Sequence, residues 1–92
     1  MLREPLVPTE ARKAIRQILE DGEVEFWKHA MEEMVKDRLS QIDCLNVLRG
    51  GWPTSGECYG DRWRYQVHTR TICVVVQFEN STHLSIVTAW RK

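Results

Sequence analysis

The sequence has little of what marks secreted, disulfide-bonded or membrane-spanning proteins. Its three cysteines, Cys44, Cys58 and Cys73, are an odd number at wide spacing, which favours reduced thiols over a disulfide framework or a zinc site. The longest apolar run, Ile72 to Val76, is far shorter than the roughly 20 residues that span a bilayer. The residues that follow Met1 lack the apolar core of a signal peptide. These absences predict a cytoplasmic protein without a membrane partner.

Motifs that bind metals, phosphates or acyl groups are also missing. The histidines, at positions 29, 68 and 83, are dispersed, and no HxH, HExxH or CxxC pattern occurs. Gly50-Gly51 precedes Trp-Pro and not the Lys-Ser/Thr pair of a phosphate-binding loop, and no GxSxG nucleophile elbow is present. We therefore expect neither a metal nor another cofactor.

The composition that remains is that of one folded domain. The chain has 92 residues, of which 42% are hydrophobic and 28% charged, as in globular and not in disordered proteins. The formal net charge is zero, which argues against a strongly basic nucleic-acid binder. The charges are uneven, however: residues 1–61 hold 8 basic and 12 acidic residues, whereas residues 62–92 hold 5 and 1. The C-terminal third therefore has room for a local positive face.

Residues 1–50 show the spacing of helices. The two prolines in residues 1–8 predict an extended arm. Apolar residues at helical spacing then predict a helix over about 9–21, with Thr9 as its N-cap and Gly22 just beyond its end. Residues 24–27 alternate partly and are interpreted as a brief edge strand or an extended lead-in.

Two further helical stretches are predicted before residue 51. The first covers about 28–38, where apolar residues follow i, i+3 and i+4 spacing. The second begins after Ser40, a capping residue with Asp43 three positions on, and it ends at Gly50-Gly51. Residues about 9–50 are thus expected to be mainly helical, and the Trp-Pro-Thr-Ser-Gly segment at 52–56 to be a loop.

From residue 57 the apolar period becomes two. This period predicts strands at residues 57–59, 62–69, 71–78 and 84–90, joined by short turns that make neighbours antiparallel. The expected fold is a single α+β domain in which the helices pack on one face of an antiparallel sheet of about four strands, within residues about 57–91. The other face is expected to stay open to solvent or to a ligand.

The strand at 62–69 alternates between cationic and apolar side chains. Its period of two turns Arg62, Arg64, Gln66 and His68 to one face, and Trp63, Tyr65 and Val67 to the other. The first set is either the solvated outer face of a sheet or an anion site, since arginine presents a planar fork to phosphate oxygens. The absence of acids on this stripe favours the anion site.

Other residues each allow a structural and a functional interpretation. His29 stands at a predicted helix start, where it is either a surface or capping residue or a general acid or base. Arg91 and Lys92 end the last strand as a frayed tail or as added cations. Trp90 is more typical of packing than of a base-stacking platform.

The order of these motifs resembles that of a family of small bacterial toxins. His29-Ala30 opens a helix, a Met/Arg-rich helix follows, and Val47-Leu48-Arg49-Gly50 ends the next one. A strand with Arg64-Tyr65, an apolar strand and a last strand with Val87-Thr88-Ala89-Trp90-Arg91 come after. Over roughly residues 10–92 the chain resembles the MqsR-type toxins of type II toxin–antitoxin systems and their uncharacterised relatives, which share a RelE-like ribonuclease fold.

The resemblance implies an endoribonuclease toxin that cleaves mRNA, free or on the ribosome, and that a cognate antitoxin protein inhibits. In such metal-independent enzymes the 2′-hydroxyl attacks the adjacent phosphate, helped by an acid, a base and cations. The implied catalytic residues are His29 as acid or base, Arg64 and Arg91 as a phosphate clamp, and Thr88. The implied substrate-binding residues are Lys28, Arg62, Tyr65, His68 and Lys92.

Two conflicts with this pattern leave an alternative open. Tyr65 is predicted on the strand face opposite Arg64, so both line one site only if a bulge intervenes. Toxins of this kind are usually basic, whereas this chain is neutral. The alternative is a non-catalytic protein-interaction module or an inactive relative of the same fold.

Overall fold

A computed structural model describes residues 2–92 as an α+β fold of three helices and six strands. The elements are α1 (Pro8–Asp21), β1 (Glu23–Phe26), α2 (Lys28–Lys36), α3 (Gln41–Gly50), β2 (Trp52–Pro53), β3 (Glu57–Tyr59), β4 (Arg62–His68), β5 (Ile72–Asn80) and β6 (His83–Arg91). Among these residues, no helix combines the length and the apolarity that crossing a bilayer requires.

Helix α1 begins one residue earlier than predicted. Pro8 occupies its first turn and Val7 is the N-cap, so Thr9 lies inside the helix and makes no cap. The prediction of Thr9 as cap was wrong because Pro8, one residue earlier, already fixes a helical φ and begins the helix. Gly22 does cap the C-terminal end, with extended backbone (φ −115°). A Cβ at Gly22 would collide with the Thr82 carbonyl, so close packing requires glycine here.

The predicted cap of α3 is confirmed. Ser40 Oγ accepts a hydrogen bond from the Asp43 amide at 3.0 Å, and Asp43 Oδ2 accepts one from the Ser40 amide at 2.8 Å. This reciprocal pair satisfies two backbone donors that the helix start would leave open. Two residues, Ser40 and Asp43, therefore fix where the helix begins.

The sheet differs from the predicted one in size and in direction. Its strand order is β1-β6-β5-β4-β2, and β3 also pairs with β4. Strand β1 pairs with β6 in parallel, with Val24 opposite Leu84, while the other pairs are antiparallel. The sheet is thus six-stranded and mixed, not four-stranded and antiparallel, and α2 and α3 follow a strand. The periodicity of the sequence did not predict the parallel pairing, because β1 pairs with β6, a strand about 60 residues later in the chain.

Helix α2 continues the edge of the sheet where β1 stops. The amide of Trp27, just after β1, donates to the Ile86 carbonyl at 3.0 Å. Beyond α2, Asp37 Oδ2 accepts a hydrogen bond from the Arg91 amide at 2.8 Å. The second half of β6 therefore lies along α2. Its backbone forms hydrogen bonds there with the Trp27 amide before the helix and with the Asp37 side chain after it.

The core lies on one side of the sheet. The helices bury Ala11, Ile15, Ile18, Ala30, Met34, Cys44, Val47 and Leu48 against Tyr65, Val67, Val74, Val76, Phe78, Leu84, Ile86 and Ala89. These sheet residues alternate with those of the other side, which carries Arg62, Arg64, Gln66 and His68. We call that other side the open face. The predicted division of β4 into an inner and an outer set is confirmed.

Residues 2–7 are not a free arm. Leu6 is buried in the core, and its amide donates to Tyr65 Oη at 2.9 Å. Tyr65 Oη in turn donates to Glu4 Oε2 at 3.0 Å. The segment is therefore attached to the helix side of β4.

Candidate functional site

The open face contains a hollow of about 160 Å³ between β3 and β6. It is lined by Glu57, Tyr59, Arg64, Gln66, Val75, Val87, Thr88 and Trp90. Val75 of the central strand β5 forms its floor, since this residue lies opposite Gln66 on one side and Thr88 on the other. The hollow thus combines one cation, one carboxylate, polar side chains and two aromatic rings.

A bulge in β6 shapes one wall of the hollow. Val75 lies opposite Thr88, but the next residue, Val76, lies opposite Ile86, so Val87 is an extra residue in β6. Because of this irregularity, the consecutive residues Val87 and Thr88 both line the hollow. A strict period of two would have turned them to opposite sides of the sheet.

Arg64 is held in place by a hydrogen bond and by aromatic rings. Its Nε donates to Gln77 Oε1 at 3.2 Å. Its guanidinium carbon lies 4.5 Å from the centre of the Tyr59 ring and 5.4 Å from that of Trp27. Contact with aromatic faces orients a guanidinium without neutralising its charge. Glu57 is the residue directly opposite Arg64 on the neighbouring strand β3, so a carboxylate lies beside this cation on the same side of the hollow.

Arg62, two residues from Arg64, is neutralised. It forms an ion pair with Glu79 of β5, which also accepts hydrogen bonds from Ser85 Oγ at 2.8 Å and from Gln77 Nε2 at 2.9 Å. Partial burial acts to raise the pKa of Glu79, but these hydrogen bonds and the Arg62 charge outweigh it and hold that pKa below its ordinary value. The β4 stripe itself carries no acid, as the sequence shows, but β5 supplies one beside it, so the stripe is less positive than predicted.

His68 adds no charge to the open face near neutral pH. Partial burial, with the positive charge of Lys92, lowers its pKa below the ordinary value of 6.5. Its Nε2 lies 3.0 Å from Gln66 Oε1 and 3.8 Å from the Cys73 thiol. His68 therefore packs over β5 as a neutral ring. Of the charged stripe predicted on β4, only Arg64 stays charged without an ion pair to a described residue.

Arg91 lies on the helix side, away from the hollow. It is opposite Ile72 in the β5–β6 pairing, whereas the open face of β6 carries Trp90 and Thr88. Its Nε donates to the Asp37 carbonyl at 2.9 Å and its guanidinium to the Arg38 carbonyl at 3.2 Å. A cation at the carboxyl end of a helix is a stabilising arrangement. The expected convergence of Arg91 with Arg64 is therefore absent.

His29 and Lys28 are exposed in the first turn of α2. Gln41 Nε2 donates to Met31 Sδ at 3.7 Å, so Met31 marks the flank of α2 that faces α3. Helical spacing places His29 on the other flank, because the buried Ala30 lies between the two. Neither His29 nor Lys28 is among the residues that line the hollow.

Two more predicted substrate-binding residues lie elsewhere. Tyr65 is fully buried, and burial raises the pKa of its phenol to about 12. A buried hydroxyl that already bonds Leu6 and Glu4 has no access to RNA, so this prediction is corrected. Lys92 Nζ donates to the Thr69 carbonyl at 2.8 Å, at the turn between β4 and β5. Of the predicted site residues, Arg64 and Thr88 line the hollow.

Sequence reasoning missed Glu57 and Tyr59, which also line the hollow. A signal for them was present, since Gly60-Asp61 forms a two-residue turn between β3 and β4. A turn of that length fixes the register, which places Tyr59 opposite Arg62 and Glu57 opposite Arg64. Gly60 has φ +65°, the left-handed conformation that glycine adopts most easily.

The cysteines are separate free thiols. Burial raises the pKa of Cys44 and of Cys73 to about 11 each, so both stay protonated. Cys58 is exposed, and its thiol donates to the Gly60 carbonyl at 3.1 Å. Within residues 2–92, no group of three or more His, Cys, Asp or Glu side chains is arranged to hold a metal ion.

Comparison with known proteins gives this chain no family. It matches no protein-family model, no curated protein and no solved structure.

Proposed function

We propose that this chain is an endoribonuclease that cleaves single-stranded RNA in the hollow of its open face. The observation that carries the proposal is the placement of Arg64, which stays charged at the hollow and is oriented by Gln77 and Tyr59. The order of motifs that resembles the RelE-like toxins is its second support. In this proposal the protein is a cytoplasmic toxin, and a cognate antitoxin inhibits it by covering the open face.

Each wall of the hollow has a role in binding RNA. The Arg64 guanidinium binds a phosphate, because its fork matches two phosphate oxygens. Tyr59 and Trp90, on opposite walls, offer ring faces to unstacked bases. A hollow of about 160 Å³ on a sheet has room for a single splayed base and not for a duplex, so we expect a single-stranded substrate.

The reaction needs no group that forms a covalent intermediate. The 2′-hydroxyl attacks the adjacent phosphorus, a new P–O2′ bond forms, and the P–O5′ bond breaks. Glu57, the carboxylate of the hollow, accepts the 2′-hydroxyl proton. The departing 5′ oxygen takes a proton from water, and the hydroxide that remains takes the proton from Glu57, which restores the carboxylate. The products are a 2′,3′-cyclic phosphate and a 5′-hydroxyl. Arg64 stabilises the charge that develops on the phosphate oxygens.

A protein-interaction module is the second candidate function. The observation that favours it is an exposed apolar set, Met31 and Val35 on α2 and Ile42 on α3, with 42%, 77% and 68% of their surface exposed. Apolar side chains exposed close together are typical of a protein-binding surface. The positions of His29 and Arg91 outside the hollow also agree with a chain that binds without cleaving.

A cleavage assay on labelled single-stranded RNA tests the proposed function. We expect Arg64→Ala to lower the cleavage rate about 100-fold or more, because one electrostatic stabiliser of the transition state is lost. Arg64→Lys should recover part of the rate, since it keeps the charge without the fork. Arg70→Ala, an exposed arginine in the turn after β4, is the matched control and should cleave like the parent.

RNA substrates without a free 2′-hydroxyl, and a variant without the Glu57 carboxylate, test the proposed mechanism. RNA with 2′-deoxy or 2′-O-methyl sugars should not be cleaved, because the nucleophile is missing, and Glu57→Gln should slow cleavage of ordinary RNA. An intact RNA after incubation with the parent protein would reject the enzyme. Cleavage that Arg64→Ala leaves unchanged would reject this site.

A further inference from the structure

A second cationic surface lies on the helices, outside the hollow. It consists of Arg12, Lys13 and Arg16 of α1, Arg49 of α3 and Trp52 of β2, and we call it the α1 patch. Two hollows of about 370 Å³ and 360 Å³ lie on it, and both are lined by Arg16. The patch groups four of the 13 basic residues of a neutral chain.

Contacts within the patch orient its three arginines. The Arg12 guanidinium carbon lies 3.8 Å from the centre of the Trp52 ring, and Arg12 Nε is buried without a hydrogen-bond partner among the described residues. The Arg16 guanidinium donates to the Arg49 carbonyl at 3.1 Å. Arg49 itself donates to Asn46 Oδ1 at 3.2 Å. None of these contacts is with an acid, so they orient the guanidinium groups without forming ion pairs.

No cation of the patch forms an ion pair within the described chain. The ion pairs of residues 2–92 involve Lys36, Arg62 and His83, and none involves a patch residue. The one acid that lines the two hollows is Glu20. Clustered like charges repel one another, so a ligand that brings negative charge to this surface is favoured.

We propose that the α1 patch binds the phosphates of a single-stranded RNA and stacks one of its bases on Trp52. Guanidinium groups match phosphate oxygens, and Trp52, with 53% of its surface exposed, offers an indole to a base. Arg12 covers part of the indole, and an acidic peptide would use the cations but would leave the exposed part of the ring without a planar partner. The choice of RNA rests on the proposed function, whereas the patch itself is independent of the cleavage site.

The position of Trp52 connects the two surfaces. Trp52 lies opposite His68 in the pairing of β2 with β4, and His68 belongs to the open face. Arg12 of α1 reaches the same indole from the helix side. An RNA strand that crosses the sheet edge at β2 therefore contacts both the hollow and the α1 patch. In this proposal the patch extends the binding site along the RNA strand and increases the affinity for RNA, without taking part in the cleavage reaction.

Binding of an uncleavable RNA tests the α1 patch separately from cleavage. The probe is a fluorescent 2′-O-methyl RNA of about 12 nucleotides, a length within the site sizes of single-strand binders, followed by anisotropy in about 50–200 mM KCl. We expect Arg16→Glu and Trp52→Ala each to weaken binding about tenfold or more. Arg16→Glu should also lower the slope of log affinity against log salt by about 1. Lys36→Glu is the control, since it makes the same change in net charge on α2 and should alter binding less than about twofold.

The other outcomes separate this proposal from the proposed function. Parent-like binding by Arg16→Glu and Trp52→Ala, in samples that melt like the parent, would overturn the patch, whatever happens to cleavage. Loss of binding in these variants, with no cleavage by the parent, would support the patch and reject the enzyme. A polyglutamate peptide that displaces the probe as well as unlabelled RNA does would also overturn the assignment to RNA, because it cannot stack on Trp52.

Discussion

Arg62 and Arg64 stand two residues apart on one strand, and the neighbouring strand gives them different chemistry. Arg62 meets Glu79, whereas Arg64 meets the neutral Gln77. The alternation of β4 predicted that both arginines share a face. The alternation did not predict which residues the two arginines contact. Those contacts depend on the register between β4 and β5, which no local pattern encodes.

The ion pair of Glu79 makes stability depend on pH. Its folded-state pKa lies below the ordinary value of 4.5, so the contribution of the carboxylate to stability is present above that value and is lost as pH falls through the folded-state pKa. We expect Glu79→Gln to lower the free energy of unfolding by about 1 kcal/mol at neutral pH. The difference from the parent should shrink below pH 4.5.

Chemical denaturation at a series of pH values measures this effect. Glu25→Gln serves as control, because the Glu25 side chain is 57% exposed and its one ion pair among the described residues is with His83. Its effect should be smaller at neutral pH. A constant difference between Glu79→Gln and the parent from pH 7 to pH 3 would contradict the assigned role of the carboxylate.

At the scale of elements, most signals that act within a few residues predicted well; the exceptions are Thr9, which makes no cap, and the predicted loop at 52–56, which begins with β2. The Ser40 cap and the end of α3 at Gly50 follow the sequence, as do β3, β4 and the general course of β5 and β6. Features that depend on a strand distant in the sequence were not predicted. The parallel pairing of β1 and the bulge at Val87 both depend on the register with other strands.

The same limit applies to the candidate site. Arg64 and Thr88 were named from the sequence and do line one hollow. Arg91 was named with them, but the bulge in β6 and the position of α2 turn it to the end of that helix. Glu57 was missed because its register with β4 had to be worked out from the turn that follows it.

The two predicted helix caps allow a matched measurement. Ser40→Ala should lower the free energy of unfolding by about 1 kcal/mol, because the Asp43 amide loses its acceptor. Thr9→Ala should change it by less than about 0.5 kcal/mol, since Val7 is the cap of α1 and Thr9 makes none. Thermal or urea unfolding decides the question. A larger loss for Thr9 than for Ser40 would contradict the observed start of α1.

At the scale of the whole molecule, the strands differ in how they are held. Strand β5 lies between β4 and β6 and is largely buried, whereas β3 is exposed at all three of its residues. Amides that open only on global unfolding exchange slowest. We therefore expect the amides of β5 to exchange with solvent most slowly and those of β3 to exchange far faster.

Hydrogen exchange followed by NMR or mass spectrometry measures this order directly. Strand β6 serves as the internal reference, because it is also central and pairs on both sides. Equal protection of β3 and β5 would mean that β3 is covered by something the fold of residues 2–92 does not contain, such as a second chain.

The parallel pairing of β1 with β6 bears on how the protein is made. The ribosome synthesises β1 early and β6 last among these six strands, so Val24 and Phe26 have no partners until Leu84 and Ile86 emerge. Pairing between residues so far apart along the chain is also intrinsically slow to form. Thr88 and Trp90, which form one wall of the hollow, belong to the same last strand. While the chain is being synthesised, the hollow therefore stays incomplete until β6 has emerged and has paired with β5.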